Sequence, residues 1–141
     1  MKVLCAVDGS PSSDAAVRLV GQLAAHDGGA VILYYSPPHV SVRGAPTPTR
    51  SVIDETRQVL VDRVLDRARS LLPEHLRSSC VDVIGHQKPR LGILAAAKIH
   101  RPELIAVGAR GVNLLGLSRL GSVSRAVVHS SEVPVLVARE R

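Results

Sequence analysis

Five short and mainly apolar runs recur along the chain, at residues 2–7, 30–35, 79–84, 103–107 and 133–138. A run without polar alternation, such as V-L-C-A-V at the start of the chain, suits a strand that is covered on both faces. The segments between the runs carry helical periodicity, so the pattern predicts five strands alternating with four helices. This is an α/β fold with a parallel sheet and helices on both faces.

Capping residues and prolines mark the predicted helix boundaries. Ser10 and Pro11 begin the first helix, as an N-cap residue and a proline at the first helical position. A second helix is predicted over residues 51–72 and is stopped by Pro73, and a third begins at Pro89. The apolar side of the first helix is predicted to contain Ala16, Leu19, Val20, Leu23 and Ala24.

The composition is that of a globular protein, with 45% hydrophobic and 21% charged residues. A length of 141 residues predicts one domain spanning 1–141. There is no run of 18 apolar residues and no signal peptide pattern, so we expect a cytoplasmic protein without membrane association. Cys5 and Cys80 lack metal-ligand spacing and are predicted to be buried, reduced thiols.

The basic character of the chain does not favour a nucleic-acid partner. A net charge of +6 and a pI near 10.1 would attract a phosphate backbone. However, the chain has no Phe or Trp, its two tyrosines are adjacent, and its arginines are dispersed. A stacking platform for single strands is therefore missing, and we expect no nucleic acid to bind.

A glycine-rich loop between the fourth strand and the last helix indicates a ligand. Gly108 ends the apolar run, Gly111 and Gly116 follow, and Gly121 opens into Ser122. Glycine allows the backbone to adopt positive φ and to approach a bound group closely. A loop that leads into a helix amino terminus presents N–H groups and the positive end of the helix dipole to an anion. The loop therefore predicts phosphate binding, and the alternative is a glycine-rich connection without a ligand.

Three familiar motifs do not match this loop. G-x-x-x-x-G-S at residues 116–122 lacks the Walker lysine. The dinucleotide fingerprint is absent, because Gly108 and Gly111 are three residues apart and no third glycine is in register, and no G-x-S-x-G elbow is present. The pattern that fits is G-x2-G-x9-G-S at residues 108–122. Together with V-D-G-S at 7–10 and V-P-V-L-V at 133–137, it resembles the ATP-binding branch of the universal stress protein family, over the whole chain.

The resemblance implies the Rossmann-like fold of that family, related to the adenine nucleotide alpha hydrolases, with strand order 3-2-1-4-5. In that order the ends of the first and fourth strands face each other across one crevice. It also implies ATP as the ligand, with or without Mg²⁺. The residues at matching positions are Ala6, Val7, Asp8, Ser36, Val107, Gly108, Gly111, Gly121, Ser122, Val123 and Ser124.

These positions have different implied roles. Asp8 would contact the ribose, with Ala6 and Val7 beside it, and the main chain of Ser36 would meet the adenine edge. The strand-four positions would line the ribose and phosphates, and residues 121–124 would supply phosphate donors. The loop over residues 36–50, rich in proline, is a candidate lid.

Two alternatives stay open for each of Arg110, Arg119 and His86, and neither a metal site nor a catalytic residue is predicted. Arg110 and Arg119 either reach the β- or γ-phosphate or remain solvated, and His86 lies either at the pocket rim or on the surface. The six histidines lack ligand spacing, so no metal site is predicted. No second carboxylate is placed beside Asp8 for phosphoryl transfer, so no catalytic residue is assigned.

The combined prediction is an ATP-binding regulatory or stress-response protein in which the nucleotide is a ligand. One alternative is a slow ATPase or a nucleotide-dependent transferase that uses the same pocket, and another is an interaction module without nucleotide. The fifth strand is apolar on both faces although the family order places it at the sheet edge, which predicts a homodimer. The residues predicted at that interface are Val135, Leu136, Val137 and Ala138.

Overall fold

The computed structural model describes residues 1–26, 28–39, 49–110 and 120–140. Over these residues the chain forms a parallel sheet in the order β3-β2-β1-β4-β5, which confirms the predicted fold class and strand order. In chain order the elements are β1 (Lys2–Ala6), α1 (Pro11–Ala25), β2 (Ala30–Tyr35), α2 (Arg50–Ser70), α3 (Glu74–Arg77), β3 (Val81–Ile84), α4 (Pro89–His100), β4 (Leu104–Gly108), α5 (Ser122–Ser130) and β5 (Val135–Ala138).

Side chains of the central strand β1 alternate between two separate cores. Val3 and Cys5 belong to the core that contains buried residues of α1 and α2. Leu4 belongs to the opposite core, where it clusters with Ile93 of α4 and Val127 of α5. Because helices cover both faces of the sheet, the inner strands β1, β2 and β4 have no polar face, and this explains their apolar runs.

The buried side of helix α1 is rotated from the predicted one, towards Val17 and Gly21. Val17 and Val20 are fully buried, whereas Leu19 and Leu23 are 40% and 41% exposed. Each residue turns a helix by roughly 100°, so positions 19 and 23 face away from the stripe through 17 and 20. The prediction that these two leucines face the core is therefore wrong.

The structure contains one helix more than predicted, and several element boundaries are shifted by one or two residues. The structure adds the four-residue helix α3, which begins directly after Pro73. Strands β3 and β5 each begin two residues later than the predicted runs. None of the helices in the described ranges has the length and hydropathy of a membrane-spanning segment.

The two cysteines are free thiols in different environments. Cys5 is fully buried, and burial raises the pKa of its thiol to about 12. Cys80 is half-buried, and its Sγ lies 2.9 Å from Nη1 of Arg69. The prediction that both thiols are buried is wrong for Cys80, because this residue precedes an edge strand.

An ion pair joins the first turn of α1 to α2. The carboxylate of Asp14 is 7% exposed and accepts hydrogen bonds from Nε of Arg67 at 3.2 and 3.0 Å, with a further contact from Nη2. A carboxylate in the first helical turn also interacts favourably with the helix dipole. The pair therefore gives α2 a polar attachment to α1 beside their apolar contact.

The hydroxyl of Tyr34 in β2 is enclosed by two glycines. This side chain is 2% exposed, and its oxygen has no hydrogen-bond partner among the described residues. The nearby hydroxyl of Ser36 donates to the carbonyl oxygen of Gln87 instead. A Cβ atom would lie 1.9 Å from the phenol oxygen at Gly85 and 1.8 Å from it at Gly92. Burial raises the pKa of Tyr34, so the buried phenol is neutral.

We expect Tyr34→Phe to leave the free energy of unfolding unchanged or slightly higher, because the lost hydroxyl has no partner. Gly92→Ala should destabilise the protein by about 1–3 kcal/mol through overlap with that hydroxyl. In the Tyr34→Phe background the same substitution should cost less, since the next atom, Cζ, would be 3.0 Å away. Denaturant unfolding of both single variants and the double variant checks this, and strictly additive costs would contradict it.

Candidate functional site

A cavity of about 1120 Å³ opens at the carboxyl ends of β1, β2 and β4. Open α/β sheets bind ligands at this edge, where the strand order reverses, and the volume is ample for a small-molecule ligand. Gly111 lies outside the described residues. The other predicted site residues all line the cavity, namely Ala6, Val7, Asp8, Ser36, Val107, Gly108, Gly121, Ser122, Val123 and Ser124.

The Asp8 carboxylate is held in place by its own turn. Its Oδ1 accepts a hydrogen bond from the N–H of Ser10 at 2.9 Å, and Gly9 between them has a φ of 80°. The Asp8 N–H donates to the hydroxyl of Ser13, and the Ser10 hydroxyl caps α1 by accepting from the Ser13 N–H. The described residues give Oδ2 of Asp8 no partner. One carboxylate oxygen is thus fixed, and the other is available in the cavity.

The carbonyl of Ala109 closes the glycine loop. It accepts a hydrogen bond from the N–H of Gly121 at 2.7 Å and from the hydroxyl of Ser124 at 3.0 Å. The N–H of Ala109 donates to the carbonyl of Ala138 at 2.7 Å, which ties the end of β4 to β5. The start of α5 is therefore attached to the sheet, whatever path the loop takes between these points.

This closure changes which groups near α5 are available to an anion. The Gly121 N–H and the Ser124 hydroxyl are already engaged with the Ala109 carbonyl. The main-chain N–H groups of a helix's first turn have no partner within the helix. Those of Ser122, Val123 and Ser124, with the exposed Ser122 hydroxyl, are the donors that remain.

Positive φ, a reason inferred from the sequence, does not apply to Gly108 or Gly121. Gly121 has a φ of −65° and a ψ of 165°, which any residue adopts, so positive φ does not explain it. A Cβ atom at Gly108 would lie 2.7 Å from the N atom of Ser13 and 2.8 Å from the carbonyl carbon of Ser12. Gly108 therefore allows β4 to pack closely against the first turn of α1.

Polar groups also line the side of the cavity near β3. The Nη2 atom of Arg57 on α2 donates to the carbonyl of Gly85 at 3.1 Å and lies 3.0 Å from Nδ1 of His86. His86 is exposed and also lies at the rim of the cavity, so both of its alternatives hold. Sequence reasoning missed Arg57 because it belongs to the polar face of a long helix. The separation of 29 positions between Arg57 and His86 does not form a pattern that predicts a contact.

The remaining sequence candidates are only partly described. Arg110 lines the cavity, and its Nη2 pairs with Glu140 at 2.8 Å, whereas Arg119 lies outside the described residues. Of the candidate lid, residues 37–39 line the cavity and residues 40–48 lie outside the described residues. Within the described part of the chain, no three His, Cys, Asp or Glu side chains cluster closely enough to hold a metal ion.

Cations outnumber carboxylates around the cavity. Asp8 and Asp54 are the carboxylates among its described lining residues. The guanidinium and ammonium groups there belong to Arg57, Lys88, Arg110 and Arg125. This balance, with the amino end of α5, favours an anionic ligand.

Comparison with known sequences agrees with the geometry. The model of the universal stress protein family matches residues 1–139. The universal stress protein Rv1996 of Mycobacterium tuberculosis is 31% identical over 143 residues, which cover 97% of this chain and 43% of that protein. The universal stress protein YxiE of Bacillus subtilis is 32% identical over 150 residues, covering 98% of each. The chain thus spans less than half the length of the mycobacterial relatives that it matches.

Solved structures share the fold at lower identity. The universal stress protein UspA from Lactobacillus plantarum superimposes with a TM-score of 0.78 at 22% identity, over 99% of this chain and 97% of that one. A universal stress protein in complex with cAMP gives 0.68 at 22% identity, over 100% and 98%. An Archaeoglobus fulgidus protein in complex with dAMP gives 0.67 at 19% identity, over 98% and 97%.

The strand order, the cavity at the strand ends and the family match over nearly the whole chain lead to one assignment. The chain belongs to the universal stress protein family.

Proposed function

We propose that the cavity binds an adenine nucleotide, with ATP as the principal ligand, and that the nucleotide regulates a cytoplasmic stress-response protein. The observation that carries this proposal is the convergence of the Asp8 turn, the end of β2 and the amino end of α5 on one cavity. Related structures in complex with cAMP and dAMP support the choice of adenine nucleotides.

The phosphates fit best at the amino end of α5. The first-turn N–H groups of Ser122, Val123 and Ser124 are the donors of this region that internal hydrogen bonds leave available. The helix dipole adds a favourable interaction with negative charge. A phosphate group would therefore replace water as the hydrogen-bond partner of an already ordered helix end.

The nucleoside would extend from that point across β1 towards β2. The available Oδ2 of Asp8 can accept hydrogen bonds from the ribose hydroxyls, since the carboxylate is already oriented by Ser10. The adenine would then reach the main chain of Ser36, where Ile93 supplies an apolar cavity wall. This order of contacts follows the strand order β2-β1-β4.

The arrangement supports binding better than hydrolysis. One oxygen of Asp8 is occupied by the Ser10 N–H, and the other described carboxylate of the cavity, Asp54, belongs to α2 rather than to a strand end. Efficient phosphoryl transfer needs groups that hold Mg²⁺ and orient the attacking nucleophile. We therefore propose that ATP acts as a ligand, and incubation with ATP should yield little product.

ATP with Mg²⁺ should stabilise the folded protein. A ligand that binds only the folded state adds roughly 2.7 kcal/mol at 100 times its Kd, which corresponds to several degrees in Tm for a domain of this size. Differential scanning fluorimetry with ATP, cAMP and GTP checks this. An unchanged Tm at millimolar ATP would favour an interaction module that does not use nucleotide.

Gly121→Val should lower ATP affinity by tenfold or more, about 1.4 kcal/mol, because its side chain would narrow the cavity beside the phosphate donors. The backbone angles of Gly121 are ordinary, so strain in φ should not contribute to the effect. Calorimetric titration and denaturant unfolding are to be run on the same samples. Lost stability with unchanged affinity would show that residue 121 is part of a simple connection.

Asp8→Asn is the matched variant on the other side of the cavity, and it leaves the glycine loop untouched. The asparagine keeps an Oδ1 acceptor for the Ser10 N–H, so the turn should remain. The acceptor proposed for the ribose becomes an amide donor, and ATP affinity should fall. Equal affinity in the variant and the native protein would remove Asp8 from the proposed site.

We also propose a homodimer through the edge strand β5. The carbonyls of Pro134 and Ala138 accept hydrogen bonds from N–H groups at the two ends of β4. Successive residues of a strand direct their main-chain N–H and C=O groups to opposite sides, so those of Val135 and Val137 face the open edge of the sheet. Val137→Pro removes an outward donor while sparing the inner ladder. Sedimentation at micromolar concentration should show a dimer for the native chain and a monomer for the variant. A native monomer would refute the proposal.

A further inference from the structure

A second group of hydrogen-bond donors lines the cavity on the side away from α5. Arg57 comes from α2, and His86 and Lys88 come from the segment between β3 and α4. In the strand order β3-β2-β1-β4, three spacings of roughly 4.8 Å separate the ends of β3 and β4. By this count of strand spacings, the two ends of the cavity are about 14 Å apart.

The hydrogen bonds of Arg57 determine the state of His86. A guanidinium can only donate, so Nδ1 of His86 accepts from Arg57 Nη2 at 3.0 Å, and the imidazole proton lies on Nε2. The same Nη2 donates to the carbonyl of Gly85. Among the described residues, Nε and Nη1 of Arg57 and Nε2–H of His86 have no partner. The pair consequently offers several donors and no acceptor.

Lys88 adds a second positive charge to this end of the cavity. It occupies the N-cap position of the twelve-residue helix α4, where the helix dipole is also positive. The ion pairs of the described residues include neither Lys88 nor Arg57, and they do not include the nearby Asp54. Two like charges thus line this end of the cavity without an ion-pair partner among the described residues.

The unpaired hydroxyl of Tyr34 lies at the same end. Its oxygen is buried against Gly85 and Gly92, which flank the segment carrying His86 and Lys88. This hydroxyl is enclosed, so it forms part of the cavity wall and is not a donor for a ligand. Arg57 and Lys88, which belong to no ion pair among the described residues, favour an anion at this position.

We propose that Arg57, His86 and Lys88 form a second anion subsite, so that the cavity holds two anionic groups about 14 Å apart. The subsite takes a phosphate or carboxylate group. Its source is either a free phosphate ion bound beside ATP or an anionic substituent on the base of the nucleotide itself. Only the second source, the substituent on the base, rests on the proposed function and its orientation of the nucleotide.

The first arm of the test uses inorganic phosphate at constant ionic strength. We expect saturable shifts in the imidazole ¹⁵N resonances of His86 and the amide of Lys88, with and without saturating ATP. Lys88→Gln should weaken phosphate binding at least fivefold, and its side chain has no partner in the described structure whose loss could disturb the fold. Arg90→Gln is the matched control, because it removes the same charge two residues later from outside the cavity lining.

The second arm compares AMP with N6-succinyl-AMP, which carries two carboxylates on the base. At least fivefold tighter binding of the succinylated nucleotide to the native protein, lost in Lys88→Gln and kept in Arg90→Gln, would assign the subsite to the same ligand. Phosphate shifts without this advantage would assign it to a separate ion.

The inference is overturned if phosphate produces no saturable shift and succinylation gives no advantage. It is also overturned if Arg90→Gln weakens binding as much as Lys88→Gln, since the effect would then come from the general positive charge of the surface and not from a specific contact of Lys88. A different result would contradict the proposed nucleotide binding. Absent ATP binding with intact phosphate shifts would defeat nucleotide binding and leave the anion subsite standing.

Discussion

The parallel pairing of β1 with β4 is the constraint on which the cavity depends. Val3 is paired with Leu104 and Cys5 with Ala106, so two strands about a hundred residues apart in sequence lie side by side. Each then ends at the same edge of the sheet, one in the Asp8 turn and the other at Gly108. No local interaction could bring these turns together. The apolar contacts of both sheet faces, rather than any ligand, fix their separation.

Internal hydrogen bonds then decide which polar groups a ligand can meet. The Ala109 carbonyl engages two donors at the start of α5, and Ser10 engages one oxygen of Asp8. What remains is a small set of groups that are already oriented, which lowers the conformational cost of binding. Stability and binding are coupled at Gly108, because its missing side chain serves the contact with α1. A substitution there would disturb the sheet before it disturbed a ligand.

The fold and the part of the cavity lining that comes from β1, β4 and the start of α5 could be predicted from the sequence, whereas the part from α2 and the reasons for individual residues could not. Apolar runs and capping residues specify parallel strands and helix starts locally, and Ser10 caps α1 as predicted. Leu19 was misplaced because the buried side of α1 includes Ser13 and Gly21, whose side chains carry no apolar signal. Arg57 was missed because its contact with His86 joins positions 29 residues apart. The Ser124 hydroxyl was assigned to a ligand although the structure pairs it with Ala109.

The placement of the aromatic residues has a spectroscopic consequence. The chain contains no Trp and no Phe, and its two tyrosines, Tyr34 and Tyr35, both line the cavity. Burial, followed by the charge of Asp8, raises the pKa of Tyr35, so that ring senses the electrostatics of the proposed ribose contact. All near-ultraviolet absorption and emission from aromatic side chains therefore originates at the end of β2, from one ring on each face of the sheet. The native protein carries its own optical reporter of cavity occupancy, without a label.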